Sequence, residues 1–534
     1  MQDKKVLLVY PGIKSGGFAL PLGLLIVAQS LQKIGIEVSL FHYTTDSIKN
    51  LKYDNYLFVG ISMLTGKIIS NGLYIAKLIK NFNSKIPIVL GGVHPTLLPE
   101  ESLRNELVDI VVIGEGDETV KELALCLLDN GDLSKVKGLA FKDTNKKIIV
   151  NPPREFIDLN TLDFDIPYYL LGKKFLYSYA IPIHTSRGCP YRCSFCYSVN
   201  FHKRKYRFKS AERVADEIEF IYKKYNIRIF DFGYEDEFFI DPFRACEIFK
   251  KIDAKGLKIA WTSFCRFDTF DRALNKIGSE FMELLKNSGC YFLSFGAESG
   301  SRRLLDEVIK KDIKVEQIFR TIDAMKTYKI PHRVNFIPDF PTETWDDIKT
   351  TFDVIDKISY NNSYIAVPII NLFPLPCTPI LELVTRKYNF KPPTSLEEWA
   401  KFKMPFPYKN VTWNTKEHAK LCYNLSLMSV FPFHQDIKSY KIYKEFIYTS
   451  TSVYPSGYHS YILAKIQRWR YKHKLFNFNL ECFLFMKLTN TITAIKRYIV
   501  NSILKKYLSV KQYNTLKEIF GSSDGTLKKI KESS

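Results

Sequence analysis

A chain of 534 residues with 46% hydrophobic and 25% charged side chains is too long for one core and too apolar to remain unfolded. With no internal repeat, this composition points to two to four globular domains and excludes solenoid and disordered classes. The formal charge of +21 is uneven, because residues 461–534 hold 15 Lys/Arg against 4 Asp/Glu, so the tail seeks an anionic neighbour.

The first segment, "MQDKKVLLVYPGIKSGG", sets basic residues before a short apolar run that soon meets Pro and Gly, the pattern of a strand and its turn and not of a signal peptide. A cytoplasmic protein is expected. "FALPLGLLIVA" is broken by Pro21 and is well short of the roughly 20 residues of a membrane-spanning helix, so no bilayer-spanning segment is expected. Up to residue 125, the strands "KVLLVYP", "EVSLFHY", "YLFVGISM", "IPIVLGG" and "IVVIGEG" alternate with the helices "LPLGLLIVAQSLQKIG", "NGLYIAKLIKNF" and "DETVKELALCLLD". This predicts a doubly wound parallel sheet over residues 1–140, with ligands at the carboxyl ends of its strands. Those ends carry "YPGIKSGG", "SMLTG", "GGVHPT" and "GEGDET", whose glycines admit a ligand close to the backbone, although turns alone account for them equally well.

Residues 141–179 are turn-rich with one hairpin signal and read as a linker. Strand-helix alternation resumes over 180–395 with six strands, "AIPIHTS", "IRIFDFGYED", "KIAWTSFC", "YFLSFGAES", "HRVNFIPDF" and "IAVPIINLFPLP", which fit a partial or full (β/α) barrel. Residues 396–534 form a mainly helical C-terminal region with a basic amphipathic tail.

The loop after the first barrel strand, "HTSRGCPYRCSFCYS", carries Cys189, Cys193 and Cys196 at a C-x3-C-x2-C spacing. A structural zinc wants four ligands, usually in two paired knuckles, and no second pair is nearby. Three clustered cysteines with nothing to complete them imply an iron–sulfur cluster with one iron open to a substrate. Ten cysteines without disulfide-type spacing agree with reduced thiols. The other seven, Cys126, Cys246, Cys265, Cys290, Cys377, Cys422 and Cys482, read as small buried hydrophobes.

"CPYRCSFC", with an aromatic before the last cysteine, resembles the signature of the radical S-adenosylmethionine (radical SAM) superfamily. The resemblance implies a 4Fe-4S cluster on these three cysteines, whose open iron chelates SAM and whose electron splits it to a 5′-deoxyadenosyl radical. "GYEDEFFID" resembles the family's acidic motif and implies Glu235 and Asp236 near the SAM amino group. "LSFGAESGS" implies SAM contacts from Gly296, Glu298 and Ser299. "NFIPDFPTET" resembles the later strand-loop segment, with Asp339 where a glycine is usual, and Arg266 and Glu343 fit a salt bridge or helix cap as well as a ligand contact. The N-terminal sheet resembles the cobalamin-binding domain of one large branch of the superfamily. That implies cobalamin contacts from Gly12, Ser62, Thr65, Gly91, Gly92, His94, Glu115 and Gly116. The Asp-x-His-x-x-Gly motif that supplies an axial imidazole elsewhere is missing around His94, so no lower ligand of that kind is expected.

These resemblances imply a cobalamin-dependent radical SAM C-methyltransferase, with the oxidative cyclase of magnesium-protoporphyrin ester as the rival within the family. A small-molecule or lipid substrate and an external flavodoxin- or ferredoxin-like electron donor are the expected partners. An RNA-modifying protein is the reading from another class, because the tail is basic and aromatic (Trp469, Tyr471, Tyr498, Tyr507). The methylthiolases that act on tRNA resemble a different N-terminal domain with three cysteines of its own, whereas only Cys126 precedes Cys189 here, so nucleic acid is not the expected partner. A corrinoid sensor without catalysis has no need of the cluster. In the tail, Phe485, Leu488, Ile492, Ile495, Ile499 and Ile503 recur at helical steps, with Lys487, Lys496, Arg497 and Lys505 outside the stripe. This face either packs on the barrel or lies on an anionic membrane surface, making peripheral membrane association a further expectation.

Overall fold

The structure, a computed structural model, describes residues 4–12, 20–43, 46, 48–172, 180–232, 237–362, 364–402 and 404–428. Seven strands form the first sheet: β1 (Lys5–Tyr10), β2 (Glu37–His42), β3 (Phe58–Ser62), β4 (Ile88–Gly91), β5 (Ile110–Val112), β6 (Leu139–Lys142) and β7 (Ile148–Val150). Their order is β2-β1-β3-β4-β5-β6-β7, and the first five run parallel, in registers such as Val6↔Val38 and Val6↔Phe58. Val6, Leu7, Leu8 and Val9 are all buried, as a strand covered on both faces requires. Helix Lys67–Phe82 covers one face through Ile69, Leu73, Ala76 and Ile79, which recur every three or four residues, and its polar residues face outward.

The hairpin signal in the expected linker belongs to this sheet. β6 pairs antiparallel with β5 (Ile110↔Phe141) and β7 with β6, so the sheet runs on to Val150 and past the expected boundary at residue 140. The tight turn is closed by Asp143, whose Oδ1 accepts from the backbone N–H groups of Asn145 and Lys147 at 2.8 Å each.

The second sheet consists of β8 (Ile181–Pro182), β11 (Ile229–Asp231), β12 (Ala260–Arg266), β13 (Cys290–Glu298), β14 (His332–Phe336) and β15 (Ile365–Ala366). All pairings are parallel and the order, β15-β14-β13-β12-β11-β8, follows the chain, which makes a six-stranded partial barrel. Between β8 and β11, the two-residue strands β9 (Ser186–Arg187) and β10 (Arg207–Phe208) pair antiparallel and fold back the segment that carries the three cysteines. The barrel core is aromatic. Phe249 stacks on Trp261 at 4.4 Å between centroids, with Phe232 and Phe238 edge-on or tilted around them.

Helix termini follow their local sequence. Helix Ala211–Tyr225 starts where the Ser210 hydroxyl accepts from the Arg213 N–H, and helix Trp345–Ser359 starts at a Thr344/Asp347 capping box. Beyond the barrel, the described residues contain helices Leu396–Trp399 and Lys416–Met428. Among them no helix is long and apolar enough to cross a membrane. The amphipathic stretch of the tail lies outside the described residues.

Candidate functional site

The cysteine loop is fixed from the barrel side by its own backbone. Ser194 N–H donates to the Ile309 carbonyl at 2.9 Å, Ser194 Oγ to the Val308 carbonyl at 2.7 Å, and Ile380 N–H to the Ser194 carbonyl at 2.9 Å. Val308 and Ile309 end a π-helical turn, Leu304–Ile309, a local widening of the helix that recurs at functional sites. Gly188, at φ +89°, enters the loop where any side chain is excluded, since a Cβ there would lie 2.0 Å from the Lys205 carbonyl oxygen. Cys193 is buried, and Cys189 and Cys196 are half-buried.

Arg266, at the carboxyl end of β12, donates from Nη1 to Cys193 Sγ at 3.4 Å. Its guanidinium lies 3.5 Å from the Tyr191 ring centroid, and Asp268 accepts from Nε at 2.9 Å. This puts a buried cation beside the sulfur of one of the three cysteines expected to hold the cluster. Of the two roles open to Arg266 in the sequence, the salt bridge is present and the thiol contact adds to it. Glu343 caps no helix; its carboxylate accepts from the Asp339 N–H at 2.5 Å and lies 3.1 Å from His418 Nε2.

The SAM-contact candidates separate. Glu298, at φ +64°, is buried in an ion pair with Lys311, Nζ to Oε1 2.5 Å. Gly296 admits that pair over the strand, because a Cβ there would meet Glu298 Oε1 at 2.3 Å and Lys311 Nζ at 2.7 Å. The Ser299 hydroxyl is engaged locally, 3.2 Å from Thr351 Oγ1 and accepting from the Ser301 N–H. Glu235 and Asp236 lie outside the described residues. Just after them Glu237 is fully enclosed, its carboxyl pushed up to about 7 by burial, and accepts from Thr269 Oγ1 at 2.9 Å.

A cavity of about 300 Å³ opens at the carboxyl ends of the N-terminal strands. Its inner wall is apolar (Leu8, Leu24, Phe58, Val89, Val112) around Gly60, where an added Cβ would press on Leu8 Cδ2 at 2.8 Å. Ser62, Gly91, Gly92, Glu115 and Gly116, five of the eight residues nominated for cobalamin, line it. Gly12, Thr65 and His94 do not. The Gly12 carbonyl is held by Asn71 Nδ2, and Thr65 Oγ1 lies 3.0 Å from His94 Nδ1. His94 packs edge-on against Trp399, with its imidazole pushed down to about 4 by burial.

The outer wall comes from the barrel: His184, Ser186, Arg187, Gly188, Tyr197, Phe201 and His202, on either side of the cysteines. Sequence reasoning did not nominate these residues, and their one signal is that they flank the motif. Burial pushes the His184 imidazole well below its usual range, so the ring is neutral, and its buried Nδ1 has no partner among the described residues. Arg187 pairs bidentately with Asp117 (3.1 and 3.0 Å) and reaches Glu115 Oε2 at 3.2 Å, while Arg207 also holds Glu115. The Arg187 pairs join the N-terminal domain to the residue two positions before Cys189.

Residues 183–355 match the radical SAM superfamily and residues 10–124 match the B12 binding domain. An uncharacterized methyltransferase of Pyrococcus horikoshii is 33% identical over 386 residues, covering 69% of this chain and 82% of that protein. The chain belongs to the cobalamin-dependent radical SAM family. The anaerobic magnesium-protoporphyrin IX monomethyl ester cyclase of Rubrivivax gelatinosus is 28% identical over 51% of this chain and 49% of its own length. The fold is shared with the cobalamin-dependent radical SAM enzyme OxsB, solved with aqua-cobalamin and SAM bound (TM-score 0.62, 19% identity, 97% of this chain and 83% of that one). Members of this family are enzymes, and the cofactors here are a 4Fe-4S cluster, SAM and cobalamin. The residues present fit them: three cysteines in one pinned loop with a cation beside Cys193, and a glycine-floored apolar cavity, suited to a flat aromatic base, facing that loop.

Proposed function

We propose that this cobalamin-dependent radical SAM enzyme transfers a methyl group to an unactivated carbon of a small-molecule or lipid substrate. The observation that carries the reading is the shared wall: the cavity of the B12 binding domain is closed by residues 184–188 and 197–202, which bracket Cys189 and Cys196. A corrinoid seated in this cavity would lie beside the loop that carries the three cysteines. When bound, the cofactors supply a hydrogen-abstracting radical from cleaved SAM and a methyl group carried on the corrinoid.

This chain's own residues position and insulate. Cys189, Cys193 and Cys196 hold the cluster, and Arg266 sets its charge against the Cys193 sulfur. The Glu298–Lys311 pair keeps both charges compensated beside the SAM-binding strand, and Arg187 with Asp117 fixes the distance between the two halves of the site. The apolar inner wall excludes water. Seven scattered cysteines form no second cluster motif, so the electron is drawn from an external flavodoxin- or ferredoxin-like donor. The basic tail after residue 460 gives a salt-sensitive hold on anionic membranes, which suits a lipid substrate. Liposome flotation of the full chain against a chain ending at 460 tests that part.

The decisive measurement is product counting. Methyl transfer consumes two SAM molecules, one to 5′-deoxyadenosine and one to S-adenosylhomocysteine. Oxidative cyclisation, the activity named for the Rubrivivax relative, forms no S-adenosylhomocysteine. Anaerobically reconstituted enzyme given methyl-labelled SAM and a reductant is expected to form S-adenosylhomocysteine and retain label with the corrinoid. 5′-Deoxyadenosine alone, with no S-adenosylhomocysteine under any reductant, refutes methyl transfer.

A further inference from the structure

A second cluster of metal-ligating side chains lies away from the three cysteines, between the loop after β14 and helix Lys416–Met428. On the loop, Asp339 is fully buried at φ +77°. Its backbone is fully used, the N–H donating to Glu343 Oε2 and the carbonyl accepting from Trp413 Nε1 at 2.7 Å. Its carboxylate is half used, since Oδ1 accepts from Asn414 Nδ2 at 2.9 Å while Oδ2, equally buried, has no partner.

On the helix, His418 and Cys422 are four residues apart and share one face. Ligand atoms of Asp339, His418 and Cys422 all lie within 4.8 Å of one another. Glu343 joins them from the loop, with Oε2 3.1 Å from His418 Nε2 and 3.8 Å from Cys422 Sγ. Two carboxyl groups and a thiol thus face one imidazole in the interior, an excess of anionic donors that needs a cation or protons to be tolerated. The orphan Oδ2 of Asp339 is the buried acceptor such a cation would engage.

We propose that Asp339, His418 and Cys422, with Glu343 as fourth donor, bind one divalent transition-metal ion of the zinc class. Imidazole, thiolate and carboxylate are the ligands zinc takes, and four of them without a vacant position make a structural site. Tetrahedral bonds of about 2.0–2.3 Å place ligand atoms roughly 3.4–3.8 Å apart, so atoms that lie within 4.8 Å of one another close by about 1 Å at most. Asn414, on the second carboxylate oxygen of Asp339, is the outer partner that orients a ligating carboxylate. The ion ties helix Lys416–Met428 to a loop whose Ile337 N–H bonds the Glu298 carbonyl, and so braces the strand end beside the Glu298–Lys311 pair. The site is independent of which reaction the enzyme performs.

The test is metal content of the full-length protein, purified anaerobically without chelator from zinc-supplemented cells. About one zinc per chain is expected in addition to cluster iron and corrinoid cobalt. Zinc-edge absorption is expected to show one sulfur near ~2.3 Å with nitrogen or oxygen near ~2.0–2.2 Å. His418→Gln and Cys422→Ser should each reduce zinc at least fivefold and leave iron and cobalt unchanged. Asp339→Gly is the sharpest variant: it removes the carboxylate and relaxes a positive φ, so the chain folds and the zinc is still lost. Absence of zinc after incubation with zinc chloride and desalting overturns the proposal. Zinc undiminished in Asp339→Gly and Cys422→Ser, or a zinc spectrum with three sulfurs, overturns it as well, placing the ion adventitiously or on the cluster cysteines.

Discussion

The bidentate contact between Arg187 and Asp117 couples the two cofactor domains, and it can be tested by a mutant cycle. Both side chains are buried, 8% and 5% exposed, in bidentate geometry, so their hydrogen bonds are made at the expense of water. Arg187→Leu leaves the Asp117 carboxylate buried without its cation, while Glu115 keeps Arg207. Breaking one side of a buried pair costs about 3–5 kcal/mol. Asp117→Leu is milder, about 1.5–3 kcal/mol, because Arg187 still has Glu115 at 3.2 Å. The double Leu variant removes both charges and is expected to lie near the Asp117→Leu value, so the coupling energy is about the Arg187→Leu cost itself, about 3–5 kcal/mol. Denaturant unfolding of the four cofactor-free proteins, read by tryptophan fluorescence and circular dichroism, measures it. The same pair sets the outer wall of the cavity, so corrinoid cobalt retained after desalting should fall with Arg187→Leu. A coupling below about 0.5 kcal/mol, with cobalt retention unchanged, would refute the reasoning that this pair holds the two halves of the site together.

Cys193→Ala should lose iron and sulfide and all SAM cleavage, whereas Cys246→Ala, buried in the barrel away from the loop, should keep its full iron content by colorimetric assay. Gly60→Val puts a branched side chain into the cavity and against Leu8; cobalamin content after reconstitution should collapse while stability falls by about 1–3 kcal/mol from overpacking. His332 is buried and neutral, 2.8 Å from the Ile330 carbonyl and 3.4 Å from Asn362 Nδ2, its imidazole pushed down to about 4 by burial. The unfolded chain takes up this proton below about pH 6.5 and the folded chain does not until about 4. The stability it confers is therefore complete above pH 6.5 and lost as pH falls to 4, by roughly 3 kcal/mol, and His332→Leu should flatten that part of the stability profile.

What could be read from the sequence was what is local. Three cysteines within eight residues, six apolar barrel strands and the glycines at the end of β4 each carry their signal in adjacent residues, and the structure places them as read. Pairing across distance was not legible. The hairpin β6–β7 had the alternation of strands, but whether it joined the sheet depended on β5, more than twenty residues earlier. Arg266 meets Cys193 from 73 residues away. Loop residues were the hardest to assign, because neighbours in one loop point to different places: Gly92 lines the cavity, and His94, two residues on, is turned against Trp399.

The three residues 187–189 show why the domains cannot be treated separately. Arg187 is tied to Asp117 in the first turn of helix Gly116–Leu128, on the cavity side. Cys189 opens the cluster loop, which Ser194 ties to the π-helical turn on the barrel side. Gly188 joins them at a φ that other residues rarely adopt, with no room for a Cβ. A rigid-body shift of the B12 binding domain therefore pulls on the cluster loop through a single residue. A side-chain change in the cavity wall, such as at Arg187, acts on the cluster loop before it acts on the rest of the barrel. Covalent geometry through Gly188 and the buried Arg187–Asp117 pair thus link the cavity wall directly to the cysteine loop, and the mutant cycle on that pair probes this link.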